Sequence, residues 1–332
     1  MKLYRWGTAP GIAGLELHQR DVPQPQRGEV LVKVRAVSLN FRDVPADKPS
    51  TSSLVPVSDA AGQIEAVGEG VTRFRTGDRV INAYHADWIG GPYPARAKLL
   101  GYGVAQDGWL SEYRVVPQHA LVAIPGSLSF EQAATLPCAA VTAWAALGGP
   151  TRIKAGDNVL VLGSGGVSIF ALQIARALGA TVVATTSTSK KADRLGELGA
   201  AAVVNYRDHP EWSKQVRAET NDEGVHRVVE VGGPATIRQS LASLARRSGE
   251  IALIGFAGGG SAAIDFWELM GPGGTVRWIG VGSRTDTEDL VAFLTAHHIM
   301  PVIDSVFGFD EAPTAFARLK SGQHLGKVVI SL

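Results

Sequence analysis

Six consecutive residues, Gly163-Ser164-Gly165-Gly166-Val167-Ser168, stand between two recognisable elements. Before them runs the apolar stretch Val159–Leu162; after them apolar residues fall at steps of three and four (Val167, Phe170, Ala171, Ile174, Ala175, Leu178). The order reads as a buried strand, a glycine turn and an amphipathic helix. Such a turn bares backbone N–H groups, and the positive end of the helix dipole favours an anion there. Gly163 suits the tight turn and Gly165 the close approach of a ligand. Ser168 takes the third-glycine place, whose task is close helix–strand packing, and serine is small enough for it. The expectation is a dinucleotide whose pyrophosphate lies over Gly163, Ser164, Gly165, Gly166 and Val167. The plain alternative is a structural glycine turn.

The next strand, Thr181–Thr186, runs into Ser187-Thr188-Ser189-Lys190-Lys191, with no acid before Asp193. A site for NAD places an Asp or Glu at that strand end to accept from the ribose 2′-hydroxyl. Hydroxyls with two lysines suit a 2′-phosphate instead, because a doubly charged oxyanion needs donors and cations. Thr186, Ser187 and Lys191 are therefore expected to contact NADP, with NADPH preferred over NADH. Alternatively, Ser189 caps the following helix and the lysines are solvated. Later strand ends place Val231-Gly232, Gly255-Phe256 and Val281-Gly282-Ser283 beside adenosine or nicotinamide.

These groups need a scaffold, and the chain supplies two kinds. The first third is β structure: Glu29–Val37 alternates Val30, Val32 and Val34 with Leu31, Lys33 and Arg35, the period of a half-buried strand. Short strands are expected near Gly62–Val67, Gly77–Asn82 and Leu110–Val116. Pro45–Pro56 and Gly90–Gly103 read as loops, either lids or plain linkers. After Pro117 strands alternate with helices: Thr181–Thr186, Ser189–Leu198, Ala202–Tyr206, Val225–Val231, Glu250–Gly255 and Thr275–Val281. That is the pattern of a doubly wound parallel sheet. The tail reads as a strand (Ile303–Phe309), a helix (Glu311–Gly322) and a strand (Lys327–Leu332), expected to fold back onto the first third, whose edges need partners.

Composition narrows the function classes. The 332 residues carry 32 Lys and Arg against 31 Asp and Glu, a net charge of +1, which offers no electrostatic footprint for nucleic acid or an anionic membrane. One cysteine, Cys138, leaves no internal disulfide and no thiolate-rich zinc lobe. Neither a signal peptide nor a membrane-length apolar run is visible, so a cytoplasmic location is expected.

Several short segments, in order, carry a family resemblance: Ser38-Leu39-Asn40-Phe41-Arg42-Asp43, Ser58-Asp59-Ala60-Ala61-Gly62, Val67-Gly68-Glu69-Gly70-Val71 and Gly77-Asp78-Arg79-Val80. Ala134-Thr135-Leu136-Pro137-Cys138 with Thr142-Ala143-Trp144, Val229-Glu230-Val231-Gly232-Gly233 and Gly326-Lys327-Val328-Val329 follow. With the glycine turn they span nearly the whole chain, which resembles the medium-chain dehydrogenase/reductase superfamily, in its zinc-independent quinone oxidoreductase-like and NAD(P)-dependent alcohol dehydrogenase-like branch. The resemblance implies a Rossmann domain, 120–289, inserted in a GroES-like β-rich catalytic domain made of 1–119 and 290–332. It also implies a homodimer through the edge strand near Thr275–Val281, and cofactor contacts from Thr142 and Lys327. In metal-dependent members a Cys, a His and a second Cys hold a catalytic zinc. Asn40, Ser58 and Cys138 stand at those positions, so one ligand in three remains and no metal is expected. Cys138 is then a small buried hydrophobe.

Without a Lewis acid, reduction of an already electrophilic acceptor is the feasible chemistry. The expected activity is NADPH-dependent hydride transfer to a quinone, enone or activated carbonyl, in the cleft at the carboxyl ends of the parallel strands. Alternatives are an alcohol/aldehyde oxidoreductase and a cofactor-binding protein with little catalysis. Asn40, beside the cofactor, is the candidate for orienting the acceptor oxygen, since its amide donates without titrating. Tyr84 and His85 are candidates for relaying a proton, with Trp88 able to stack on an aromatic acceptor. Arg42 and Asp43 are expected to pair as ions in the same loop, with Asp59 in their network.

Overall fold

Glu29–Leu39, eleven residues rich in valine, forms the central strand of a mostly antiparallel sheet in the computed structural model, which describes residues 1–45, 53–94 and 101–332. Its early part alternates as the sequence requires, with Val30, Val32 and Val34 buried and Lys33 and Arg35 half-buried. Leu31 departs from that pattern and is buried too, and from Ala36 to Leu39 every residue is buried. Asp59–Val67 pairs with this strand on one side and the C-terminal strand Lys327–Ser331 on the other, both antiparallel. The sheet continues through Arg79–Asn82 to Leu121–Ala123 at one edge and ends in Ile303–Gly308 at the other; Tyr113–Pro117 also pairs with the central strand. Among the loop segments expected at Pro45–Pro56 and Gly90–Gly103, residues 46–52 and 95–100 lie outside the described residues.

The tail therefore returns to the first third, by strand pairing. Val328 lies opposite Leu39, and Asp59 opposite Ser38. Three stretches distant in sequence thus finish side by side, which decides the neighbours of Asn40.

The middle of the chain is a six-stranded parallel sheet in the spatial order 202–205, 181–186, 158–162, 227–230, 250–253, 275–278. That is the doubly wound Rossmann order, with its reversal between Asn158–Leu162 and Arg227–Glu230. Val159 to Val161 and Val228 and Val229 are fully buried, as strands covered by helices on both faces must be. Helix Gly166–Ala177 buries Ile169, Phe170, Leu172 and Ile174, and Gly179 at φ +82° closes its C-terminus as expected.

Contacts divide the chain into one unit of Met1–Val141 with Gly282–Leu332 and another of Thr142–Val281. The seams lie inside the 120–289 span read from sequence. Leu121–Ala123 pairs with Arg79–Asn82, and the helix Arg284–Ala296 packs on Leu121–Ala123, so both belong with the β-rich unit. Among the described residues, no helix is long and apolar enough to cross a membrane.

Candidate functional site

In the parallel-sheet unit the glycine turn sits at the reversal point of strand order, where open α/β sheets bind ligands. Gly163 has φ +74°, a conformation costly for any side chain, and its N–H donates to the carbonyl of Thr185 at 3.0 Å. Gly165 is more telling. Its backbone (φ −77°, ψ 176°) is open to any residue, and a Cβ there would meet no protein atom within 4 Å. Neither strain nor internal packing calls for glycine at 165, which caps the helix and leaves the space over its backbone open to a ligand. Helix Gly166–Ala177 begins there, leaving first-turn N–H groups without intrahelical acceptors. Ser168 is buried, and its hydroxyl donates to the Leu162 carbonyl at 2.6 Å. The serine thus ties helix to strand, doing by a hydrogen bond what the third glycine does by close contact.

At the end of Thr181–Thr186, the Thr186 hydroxyl oxygen is buried with no hydrogen-bond partner among the described residues, an orphan suited to a ligand oxygen. The helix Ser189–Glu197 is capped by Thr188, which accepts from the Lys191 N–H, rather than by Ser189. Ser187 and Lys191 are half-buried and Lys190 is exposed.

A carboxylate not singled out from the sequence organises the opposite wall. Glu230, fully buried, accepts from the N–H groups of Gly232 (2.8 Å) and Gly233 (2.9 Å) and from the hydroxyls of Thr236 (2.6 Å) and Ser240. Val231 and Gly232 follow directly, and Ala257 and Gly258 donate to their carbonyls. A Cβ on Gly255 would come 2.7 Å from the Val231 carbonyl oxygen, so two strand-end loops meet where only glycine fits. Phe256 is 68% exposed beside them. Thr142 is buried in the helix Val141–Leu147. Val281 holds φ +71°, a strained conformation for a β-branched residue. Ser283 lies in the β-rich unit, where its hydroxyl caps the helix Arg284–Ala296 and bonds the Asp286 carboxylate at 2.6 Å.

In the β-rich unit a buried polar chain surrounds Asn40. The Lys327 ammonium donates to the Asn40 side-chain oxygen and to the Leu39 carbonyl, each at 2.6 Å. An ammonium has no lone pair to offer, so it must face the amide oxygen, which orients the amide. The Asn40 amide nitrogen then donates to Ser58 Oγ (3.2 Å), Ser58 Oγ to Asp59 (2.7 Å), and the Cys138 backbone N–H to the other Asp59 oxygen (3.1 Å). Asn82, also missed in the sequence, fixes the Ser58–Ala60 backbone: its amide donates to the Ser58 carbonyl and its oxygen accepts from the Ala60 N–H. Val57, just before Ser58, is buried at φ +74°, so this turn is strained.

Arg42 and Asp43 do not pair. One Asp43 oxygen accepts from the Asn40 backbone N–H at 2.8 Å and the other is buried with no partner among the described residues, while Arg42 lies over the Tyr84 ring at 5.0 Å. The local turn and the aromatic face have taken the two groups that an ion pair needed. Burial, and then the charge of Asp59, push the Asp43 carboxyl up to about 7. Burial also raises Asp59, against the opposing pull of Lys327. Asp59 does belong to the Asn40 network. Tyr84 and His85 are both buried and stack edge to face at 4.6 Å, with Trp88 6.2 Å from the His85 ring.

The donors at the Asn40 cluster do not fit a zinc ion. The amide oxygen is held by an ammonium, the Ser58 hydroxyl is spent on Asp59, and burial pushes the half-buried Cys138 thiol up, away from the thiolate that binds metal. Among the described residues no three His, Cys, Asp or Glu side chains gather as ligands.

A zinc-binding dehydrogenase family model matches residues 166–296, and an alcohol dehydrogenase GroES-like domain model matches 26–126. A zinc-type alcohol dehydrogenase-like protein of Schizosaccharomyces pombe is 42% identical over 97% of this chain and 96% of its own length. Among solved structures, an NAD-dependent alcohol dehydrogenase superposes with a TM-score of 0.90 at 29% identity, covering all of both chains. A quinone oxidoreductase of Pseudomonas syringae pv. tomato superposes with a TM-score of 0.83 at 26% identity, covering all of this chain and 99% of its own.

Proposed function

Because this chain belongs to the medium-chain dehydrogenase/reductase superfamily, an oxidoreductase family using a nicotinamide dinucleotide, we propose that it is a zinc-independent, NADPH-dependent reductase of quinones, enones or other activated carbonyls. The observation that carries the proposal is the Asn40 cluster, where an amide and a hydroxyl, Asn40 and Ser58, stand at metal-ligand positions and a lysine ammonium holds the amide oxygen. With no metal to acidify an alcohol or polarise a simple carbonyl, the acceptor must itself be electrophilic.

The Gly163–Val167 turn would hold a dinucleotide, with the open backbone at Gly165 receiving its pyrophosphate and the strand-end loops held by Glu230 beside it. Thr186, Ser187, Lys190 and Lys191 face the adenosine 2′ position, where the absence of an acid favours NADP. When bound, the reduced nicotinamide supplies the hydride. Asn40 offers its second amide hydrogen to the acceptor oxygen; an amide donor does not titrate and stays oriented. Tyr84 or His85 delivers the proton that completes reduction.

A second copy of the chain covers the sheet edge. Among the described residues Thr275–Trp278 has a strand on one side only, and Val276 (42%) and Trp278 (58%) are exposed on it. An exposed apolar edge strand of this kind pairs readily with its own copy, giving a homodimer.

The test is a panel of quinones, enones and simple aldehydes, followed by loss of reduced-nicotinamide absorbance with NADPH and with NADH. Turnover of quinones or enones with NADPH is expected. Turnover of aldehydes alone supports the alcohol/aldehyde reading that the relatives' names favour, and tight NADPH binding without turnover supports a binding protein.

A further inference from the structure

Buried lysines are rare, because an ammonium out of water is stable only where its hydrogens are matched. Lys327 is 3% exposed, and its charge sits among Asn40, Asp59 and Asp43 at the aligned ends of three adjacent strands. The register that sets Val328 opposite Leu39 brings it there. The Leu39 carbonyl and the Asn40 amide oxygen match two hydrogens of the head group, while the Asn40 backbone is held separately, through its N–H, by Asp43. That second contact decides which face of the amide points where. It also polarises the amide, because drawing electron density toward the oxygen makes the N–H groups stronger donors.

We propose that Lys327 is a positioning residue for the reduction. Its buried ammonium locks the Asn40 amide oxygen inward and strengthens the amide hydrogens, one held by Ser58 and the other directed at the acceptor oxygen. This rests on the reading of Asn40 as the group that meets the acceptor. It moves Lys327 from the cofactor contacts, where the family resemblance puts it, to the acceptor end of the chemistry. One fixed positive charge thereby stands behind the donor, at the point where a metal-dependent relative would place a cation in front of it.

The experiment compares wild type with Lys327→Met, which keeps length and loses charge, and Lys327→Arg, which keeps charge. Dissociation constants for NADPH, kcat and KM for an enone, and 15N-edited spectra of the Asn40 side-chain amide are measured for each, with thermal melts to show that each folds. Lys327→Met is expected to lower kcat on the order of 10–100-fold, the range for partners that orient a contacting ligand. NADPH affinity stays within about twofold of wild type, a range that excludes loss of a charged phosphate contact. The Asn40 amide hydrogens become exchange-labile in Lys327→Met and stay protected in Lys327→Arg. The proposal is overturned if Lys327→Met keeps wild-type amide spectra, or if it loses NADPH affinity in step with kcat. If wild type turns over no acceptor at all, the proposed reaction fails by itself, and the amide spectra still decide for or against Lys327. A Lys327→Met chain that does not fold moves that decision to Lys327→Gln, read by the same spectra.

Discussion

Replacing Gly165 with valine separates the two uses a glycine turn can have. The backbone at 165 is in an extended region open to valine, and a Cβ would meet no protein atom within 4 Å. The fold therefore loses little: glycine is a better helix N-cap than valine by about 1 kcal/mol, which lowers the melting temperature by roughly 2–4 °C. Binding is another matter, since the new side chain fills the space a pyrophosphate needs to reach the N–H groups at the start of Gly166–Ala177. Losing two charge-assisted hydrogen bonds at about 1.5–3 kcal/mol each removes about 3–6 kcal/mol, or roughly 100- to 10,000-fold in affinity. Fluorescence titration with NADPH, beside a thermal melt, reads both numbers on one sample. Wild-type affinity in a folded Gly165→Val chain would refute the reasoning, because no dinucleotide could then rest on this ledge.

Other consequences are equally open to measurement. Lys190→Ala with Lys191→Ala weakens NADPH by roughly tenfold or more, one charged hydrogen bond's worth, and leaves NADH nearly unchanged; equal losses for both in titration contradict the 2′-phosphate assignment. Glu250 is almost fully buried between Arg277 (2.7 Å) and Arg227 (3.6 Å). Glu250→Gln strands buried positive charge and costs about 3–5 kcal/mol by denaturant unfolding. Asp43 titrates near 7 in the native chain, above the ordinary carboxylate range. The native state therefore keeps a proton that the unfolded state has released, and stability falls as pH rises from about 4 to about 7. Asp43→Asn still accepts the Asn40 N–H, so its stability relative to wild type improves between pH 5 and pH 8, on the order of 2 kcal/mol; an unchanged difference contradicts this. Val276→Lys with Trp278→Lys, on the exposed edge strand of the parallel sheet, yields a monomer in sedimentation while wild type runs at twice the chain mass.

What could be read from the residues was whatever depends on neighbours in the chain. The glycine turn is legible because its strand, its turn and its helix are contiguous and each has its own periodicity. The Rossmann strands are legible for the same reason, with ends displaced by one to three residues where hydrogen bonding stops before the apolar run does. Cap assignment failed by one residue: Thr188 and Ser189 have equal capping chemistry, and only the direction of the helix axis chooses between them. Arg42 and Asp43 looked like an ion pair because they are adjacent and opposite in sign. A backbone N–H three residues away claimed the carboxylate, and an aromatic face some forty positions along the chain claimed the guanidinium. The contact between Lys327 and Asn40 spans 287 positions and depends on strand register, which no local pattern displays. Glu230 and Asn82 were hidden for a related reason: each satisfies backbone groups whose need arises only once loops from different strands meet.

The most direct test follows one hydrogen atom. NADPH carrying two deuterium atoms at C4 of the nicotinamide is incubated with the protein and an enone, whose reduced carbon holds the label against exchange, and the product is analysed by mass spectrometry, with protein treated beforehand with a strong chelator. The account predicts one deuterium per product molecule, at a rate that chelation leaves unchanged. Product without deuterium, or a rate abolished by chelation and restored by zinc, would contradict it.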